Sequence, residues 1–439
     1  MTMRLLLGRW RVTLLALAGI VLLGAPGRAA AARTLVVCAH CPYATIPAAL
    51  ADSENGDQIV VGPGSYSGGF TIGTDVTLHG AGAQVTTIAG GGPVGTVASG
   101  ATVTIRGVTI ADGRTGFDGG TPGNGGGIYN AGTLRLDRST VSGNRAFFSG
   151  GGIFSTGTLT ITDSTVSDNG TGVGGGRNGG GIYSAGTLQL DKSTVSGNRA
   201  YMDGGGIFST GTLTITDSAV SGNHTPEFAG GGIYSGGTGT LLLIDSDVSD
   251  NSGETSGGIL NAGVATLSGS TVSDNLGHFI GGGIVNAGSL RVAGSTISGN
   301  HTAADGAGGI WNFGTLELTD STVSGNRGSV GGGIANDGVA TIRDSTVSGN
   351  SARAGGGGIR NDGTLTITDS TLSGNAAGIA DVGFGHGGGI YNLGTLTVTA
   401  SSIVGNSATA SGGGIYNVGT VTLTNSTVSG NVPDDCFGC

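Results

Sequence analysis

The chain has 439 residues, and 28 acidic side chains against 18 basic ones give it a net charge of −10. Charged residues are sparse and no basic run interrupts them, which argues against nucleic acid or anionic lipid as a partner. Glycine, at 96 residues, far exceeds its usual share. It clusters in threes at long intervals, which excludes collagen, while aliphatic residues recur at fixed columns, which excludes disorder.

Residues 1–32 read as a secretory signal. Arg4, Arg9 and Arg11 precede an apolar stretch from Val12 to Ala25, and Ala29 to Ala32 supply small residues before Arg33. The apolar stretch, about 13 residues, falls short of the ~20 that span a bilayer, and no later segment is apolar enough to cross. Removal of the signal leaves 14 basic against 28 acidic residues, a net charge of −14. The expected location is extracellular, secreted or on the cell surface.

Residues 33–124 read as an N-terminal cap followed by the first coils of a rod. Thr45 to Asp52 is the one segment with helix signals: Thr near the cap, Pro47 early, and Ile46, Ala49 and Leu50 on one face. Short β-type runs follow at 58–61, 69–72, 75–78 and 101–105.

From Gly125 to Asn431 one phrase recurs twelve times: G-G-G-I-Y-N, then G-T-L-x-L, then S-T-V-S-G-N. The closing Asn falls at 144, 169, 198, 223, 251, 275, 300, 326, 350, 375, 406 and 431. A period of this length decides architecture before any other argument. Each copy holds three short β-type runs, and strand alternation turns Ile153, Leu159, Ile161, Ser164 and Val166 inward in one copy, with Phe154, Thr158, Thr160 and Thr165 outward. One coil buries about four aliphatic side chains, worth roughly 6–12 kcal/mol, against on the order of 25–50 kcal/mol for ordering its backbone. Only stacking, each coil hydrogen-bonding the coils above and below, makes it stable. The Asn column then forms an internal ladder. The glycine content leaves no helix-compatible outer face for a leucine-rich repeat, and the period is too short for a propeller blade. The expected fold is all-β, a right-handed parallel β-helix of about 15–16 coils, with a short capping helix. Residues 432–439 form a C-terminal C-x-x-C cap.

In such a rod Cys38/Cys41 and Cys436/Cys439 lie at opposite ends, more than ~55 Å apart at ~4.8 Å per coil. One metal cannot join them, so two local disulfides are expected.

These features resemble the right-handed parallel β-helix proteins of the pectin-lyase-like superfamily. The repeats are similar to those of the polymorphic outer-membrane protein family: Gly151-Gly152-Ile153 matches its G-G-x-I, and Val166-Ser167-Asp168-Asn169 its F-x-x-N with Val for Phe. Ala44-Thr45-Ile46, Gly56-Asp57 and Gly62-Pro63-Gly64-Ser65-Tyr66 resemble the opening of many such chains. The resemblance implies the fold; for function it spans lyases, hydrolases, esterases and adhesins.

No catalytic motif is complete. Pectin-hydrolysing members of that superfamily carry N-T-D, D-D, G-H-G and R-I-K in order; this chain has Gly385-His386-Gly387 alone, with Asp434-Asp435 out of order. No cofactor is expected. Calcium-binding nonapeptides need an Asp that the glycine runs lack. The column Arg138, Asp163, Lys192, Asp217, Asp245, Gly269, Gly294, Asp320, Asp344, Asp369 reads as solvent-facing turn residues. The candidate binding residues are the outward column after the buried Ile: Tyr129, Phe154, Tyr183, Phe208, Tyr234, Trp311, Tyr391 and Tyr416, a stripe of rings suited to sugar or to a partner's surface, or to shielding the sheet. Beside it run length-variable loops with Phe147, Phe148, Tyr201, Met202, Phe228, Phe279, Phe384 and four histidines, His224, His278, His301 and His386. The two longest are Gly170–Asn178 and Ala376–His386. Outward T-x-T pairs do not form an unbroken ice-binding array, since Arg135, Gln189 and Glu317 interrupt them.

The reading is therefore a secreted or surface β-helix, an adhesin-like or glycan-binding scaffold without enzymatic activity, with polysaccharide or a cell-surface protein as partner. The alternative is a carbohydrate-active enzyme of the lyase, hydrolase or esterase kind.

Overall fold

A computed structural model describes residues 31–116, 123–172, 177–378 and 384–439. The signal segment and parts of both long loops lie outside the described residues. From Arg33 to Cys439 the chain forms one unit, a parallel β-solenoid in which each strand pairs with its counterpart one coil on.

Three long sheets run the length of the unit, with 16, 15 and 15 strands among the described residues. Sheet 1 holds the five-residue T-L-x-L-T strands such as Thr158–Thr162, sheet 2 the T-V-S strands such as Thr165–Ser167, and sheet 3 the I-Y-N strands such as Ile153–Ser155. Alternation packs the interior as expected: Ile153, Leu159, Ile161 and Val166 are buried, together with Ser164. The three-run reading missed a fourth sheet. Two-residue strands directly after the closing Asn, such as Arg145–Ala146 and His224–Thr225, pair from coil to coil. Their inward residue is small (Ala146, Ala200, Thr225) and buried, because the solenoid is narrow at this corner.

Left-handed backbone makes the corners. Between sheets 1 and 2, Asp163, Asp217, Asp245, Asp320, Asp344 and Asp369 all lie at φ between 45° and 49°. This is a conformation that Asp, Asn and Gly adopt far more readily than other residues. The Asp column is thus a column of turn residues, and Arg138, Lys192 and Ala400 accept the same strain at φ 46–49°.

The glycine triplet has a different reason at each position. Gly179 turns the last corner at φ 66°. A Cβ on Gly180 would lie 2.5 Å from the carbonyl oxygen of Gly205, and one on Gly181 would lie 2.9 Å from the Asn198 side chain. The triplet and the ladder Asn are therefore coupled: the chain closes over the amide only where no side chain intervenes.

The Asn ladder forms as expected. Asn198 donates from its backbone and Nδ2 to Asn223 Oδ1 at 2.9 and 3.0 Å, and from Nδ2 to the Val166 carbonyl at 2.9 Å. This pattern repeats to Asn431, whose backbone N and Nδ2 end on Asp435 Oδ1. Two further ladders were not anticipated. Each buried Ser of the S-T-V-S motif accepts from the backbone of its predecessor, as Ser164 does from Ser139 at 3.0 Å. At the end of sheet 3, Asn261, Asn286, Asn312, Asn336, Asn361, Asn392 and Asn417 form a second amide chain at 2.7–2.8 Å. Earlier in that column stand Ser184, Ser209 and Ser235, whose buried hydroxyls have no partner. Replacing all three by Asn should extend the amide chain and raise the melting temperature, at about 1 kcal/mol per new bond. Thermal unfolding checks this; a lower melting temperature would mean that these coils cannot hold the larger side chain.

The ends differ. Helix α1 (Ile46–Ala51), capped by Thr45, covers the first coils. Beside it Arg33 forks onto Asp57 Oδ2 at 3.0 and 2.7 Å. That bond, with the Glu54 and Arg33 amides, holds the Asp57 carboxyl at about 2. Cys38–Cys41 and Cys436–Cys439 are both disulfides. The C-terminal loop expected as a lid covers one sheet only. Cys436–Phe437 pairs with Ile415–Tyr416 of sheet 3, whereas Thr420–Thr424 and Thr427–Ser429 stay largely exposed, because eight residues are too few to cross three sheets.

Candidate functional site

The outward rings of sheet 3 stack on one another. Centroids from Tyr129 through Phe154, Tyr183 and Phe208 to Tyr234 are 4.7–5.3 Å apart, with planes within 19° of parallel. Strand spacing dictates this, since rungs ~4.8 Å apart bring identical columns into ring contact. Tyr391, Tyr416 and Phe437 form a second stack at 5.1 and 4.9 Å, and Arg360 lies 5.8 Å over Tyr391. Trp311 stands apart, stacked on Phe313 at 5.2 Å and donating from Nε1 to Asp337. Between the end rings of each stack the ring faces are occupied by neighbouring rings, so a ligand approaching from outside meets ring edges there.

Open rings lie instead at the loop tips: Phe228 is 48% exposed, Phe279 55% and Phe384 79%. The described parts of these loops are ordered by their own bonds between coils, Thr255 N to the Phe228 carbonyl and Phe279 N to that of Glu254. Arg177, nearly buried, sits 4.2 Å over the Phe147 ring. The ring-rich loops are therefore a built edge of the rod.

The fourth sheet adds what the sequence reading did not single out. Its outward column reads, in register, Arg114, Arg145, Gly170, Arg199, His224, Ser252, Leu276, His301 and Arg327. All four arginines are exposed, and none lies within 4.0 Å of a carboxylate among the described residues. Arg114 and Arg145 face each other across one rung, a repulsion of about 1 kcal/mol in water. Burial, and then the neighbouring Arg199, press the His224 imidazole below its usual range, keeping it neutral near pH 7. The absence of a basic cluster inferred from composition holds along the sequence but not in space. From Arg145 onward the column is the residue after each closing Asn, whereas Arg114 follows Gly113 and joins it only through stacking.

Three histidines of the loop edge make side-chain hydrogen bonds between coils. His224 and His386 share hydrogen bonds with Ser252 and Ser411 at 2.7 and 2.8 Å, and His301 Nδ1 donates to the Arg327 carbonyl. The His386 ring lies 4.3 Å from that of Tyr416. Among the described residues no group of three His, Cys, Asp or Glu side chains is placed to hold a metal ion, and no helix is long and apolar enough to cross a membrane.

No family model matches the chain, and neither does any curated protein sequence. The likeness to polymorphic outer-membrane repeats thus stays one of motif. Among solved structures it is similar to the Azotobacter vinelandii mannuronan C-5 epimerase AlgE4 A-module, at 14% identity over 88% of this chain and 94% of that one, with a TM-score of 0.46. Pectate lyase Pel9A matches at 15% identity over 90% and 78%, TM-score 0.28. The catalytic domain of a GH87 α-1,3-glucanase matches at 14% over 91% and 69%, TM-score 0.35. These are likenesses of solenoid architecture.

Proposed function

We propose that this chain is an extracellular, polysaccharide-directed β-solenoid that holds an anionic glycan along the edge formed by the fourth sheet and the variable loops. The carrying observation is the register of Arg114, Arg145 and Arg199, cations with no carboxylate within 4.0 Å among the described residues, on a protein of opposite overall charge. Arg114 and Arg145 on adjacent rungs repel and so oppose folding, Arg199 follows one rung beyond Gly170, and a carboxylated or sulfated chain running parallel to the rod would offset all three charges. The exposed phenyl rings of Phe228 and Phe279 supply apolar faces for sugar rings on the same edge. The ring stack of sheet 3 then serves chiefly as a wall, with Tyr183 and Tyr234 offering edges.

The test is retention on immobilised polygalacturonate against a neutral glucan. The mature chain should bind the acidic polymer, more weakly as salt rises, and Arg145→Glu with Arg199→Glu should weaken binding about tenfold or more. Equal retention on neutral glucan, or an unaltered charge-reversal variant, would contradict the proposal.

One observation favours a catalytic version. His386 and Ser411 are hydrogen-bonded at the long-loop end of the same edge, the minimal pairing for attack on a sugar ester. The solved proteins of similar architecture are named for action on polysaccharides. Release of acyl groups or of unsaturated or reducing ends, lost in Ser411→Ala and His386→Ala, would establish that version.

A further inference from the structure

The corner between sheets 1 and 2 is turned by two residues wherever the coils are regular, as Arg138 and Ser139 do between Thr133–Asp137 and Thr140–Ser142. Near the N-terminus it takes five, residues 81–85 between Val76–Gly80 and Thr86–Ala89. The longer turn is fixed in place: Gly82 N donates to the Gly107 carbonyl at 3.0 Å, Ala81 N to Thr86 Oγ1 at 3.0 Å, and Thr109 Oγ1 to the Ala83 carbonyl at 2.7 Å. It walls a cavity of about 280 Å³ whose polar side chains are His79, Arg106 and Arg138.

Three basic groups thus meet on consecutive coils, His79 in register with Arg106 and Arg106 with Asp137. The carboxylate of Asp137 is taken: its Oδ2 accepts from Arg138 Nη2 at 3.1 Å and from Nε at 3.3 Å. Arg106, half-buried, has no carboxylate within 4.0 Å among the described residues. A guanidinium fork that opens into a fixed cavity beside a second arginine is complementary to a planar or tetrahedral oxyanion.

We propose that this notch is an oxyanion site, in which a sugar carboxylate or a sulfate or phosphate ester sits against Arg106, with Arg138 and His79 completing the shell. It lies on a different corner from the glycan edge and does not depend on that reading. The direction in which burial, Arg106 and Arg138 push the His79 imidazole, below its usual range, supplies the readout, since a bound anion must reverse it.

The six histidines can be followed by NMR in the mature chain while sulfate, phosphate or glucuronate is added. At least one anion should shift the His79 ring signals saturably and raise the pH of their titration, with the other five histidines moving far less. Which of the three binds tightest separates ester from carboxylate ligands. Arg106→Gln should weaken binding about tenfold or more, Arg106→Lys less, and Arg343→Gln not at all. If Arg106→Gln disturbs the fold, Arg138→Gln takes its place. Absence of a saturable His79 shift with all three anions, equal shifts at all six histidines, or unchanged affinity in the Arg106 and Arg138 variants would overturn the site.

Discussion

Asn300→Leu should destabilise the solenoid by about 3–5 kcal/mol, although Leu is apolar and the site is buried. The cost arises in the neighbouring coils. Asn275 donates its backbone N–H and Nδ2 to Asn300 Oδ1 at 3.1 and 2.9 Å, and Asn300 Nδ2 serves the Val272 carbonyl at 2.9 Å. Leucine leaves a buried amide N–H and a buried carbonyl without partners while removing no polar group from the adjacent rungs. Denaturant unfolding measures the effect as a lowered midpoint. A change under 1 kcal/mol would mean that the amide column is dispensable, and that aliphatic packing alone sets the coil register.

Gly180→Ala should also be damaging, by about 3 kcal/mol, for a steric reason. The added Cβ has backbone on two sides, the Gly205 carbonyl among it, and backbone held in parallel ladders cannot move aside as a side-chain tip can. Gly73→Ala is the control, because nothing lies within 4 Å of a Cβ there and its φ is not positive. Melting temperatures of the two variants decide it: a large loss for the first and little change for the second. Similar behaviour of the two would show that the triplets serve chain flexibility and not closeness of approach.

Both effects come from columns plainly visible in the sequence, and that is why the fold was legible. A twelve-fold repeat fixes which residues stack, so Ile153, Leu159, Ile161 and Val166 could be placed inside, and Asn169 in a ladder, without any structure. The fourth sheet escaped notice because two residues are too short for alternation to show: Arg145–Ala146 contains one outward and one inward position. Only stacking reveals that Arg114, Arg145 and Arg199 share a column, since more than 20 residues separate them in sequence. The notch at His79 was hidden for a related reason. It arises from a departure from the repeat, a corner lengthened from two residues to five, in a region where spacing is irregular.

The ring stripe shows the limit of reading a column by residue type. Alternation placed Tyr129, Phe154, Tyr183, Phe208 and Tyr234 outward correctly, but exposure of a ring's edge is not exposure of its face. A parallel stack one rung apart uses the faces internally; Phe208 retains only 8% exposure. Phe228 and Phe279, in loops whose lengths vary, have no ring counterpart to stack on among the described residues, and their surfaces stay open.

Arginine-selective labelling with phenylglyoxal, read peptide by peptide with and without saturating polygalacturonate, tests the glycan edge most directly. The account predicts that Arg114, Arg145 and Arg199 become protected while the sheet 1 arginines Arg291 and Arg343 label as before. Protection confined to Arg291 and Arg343, or undiminished labelling of Arg145 and Arg199 under bound polymer, would contradict it.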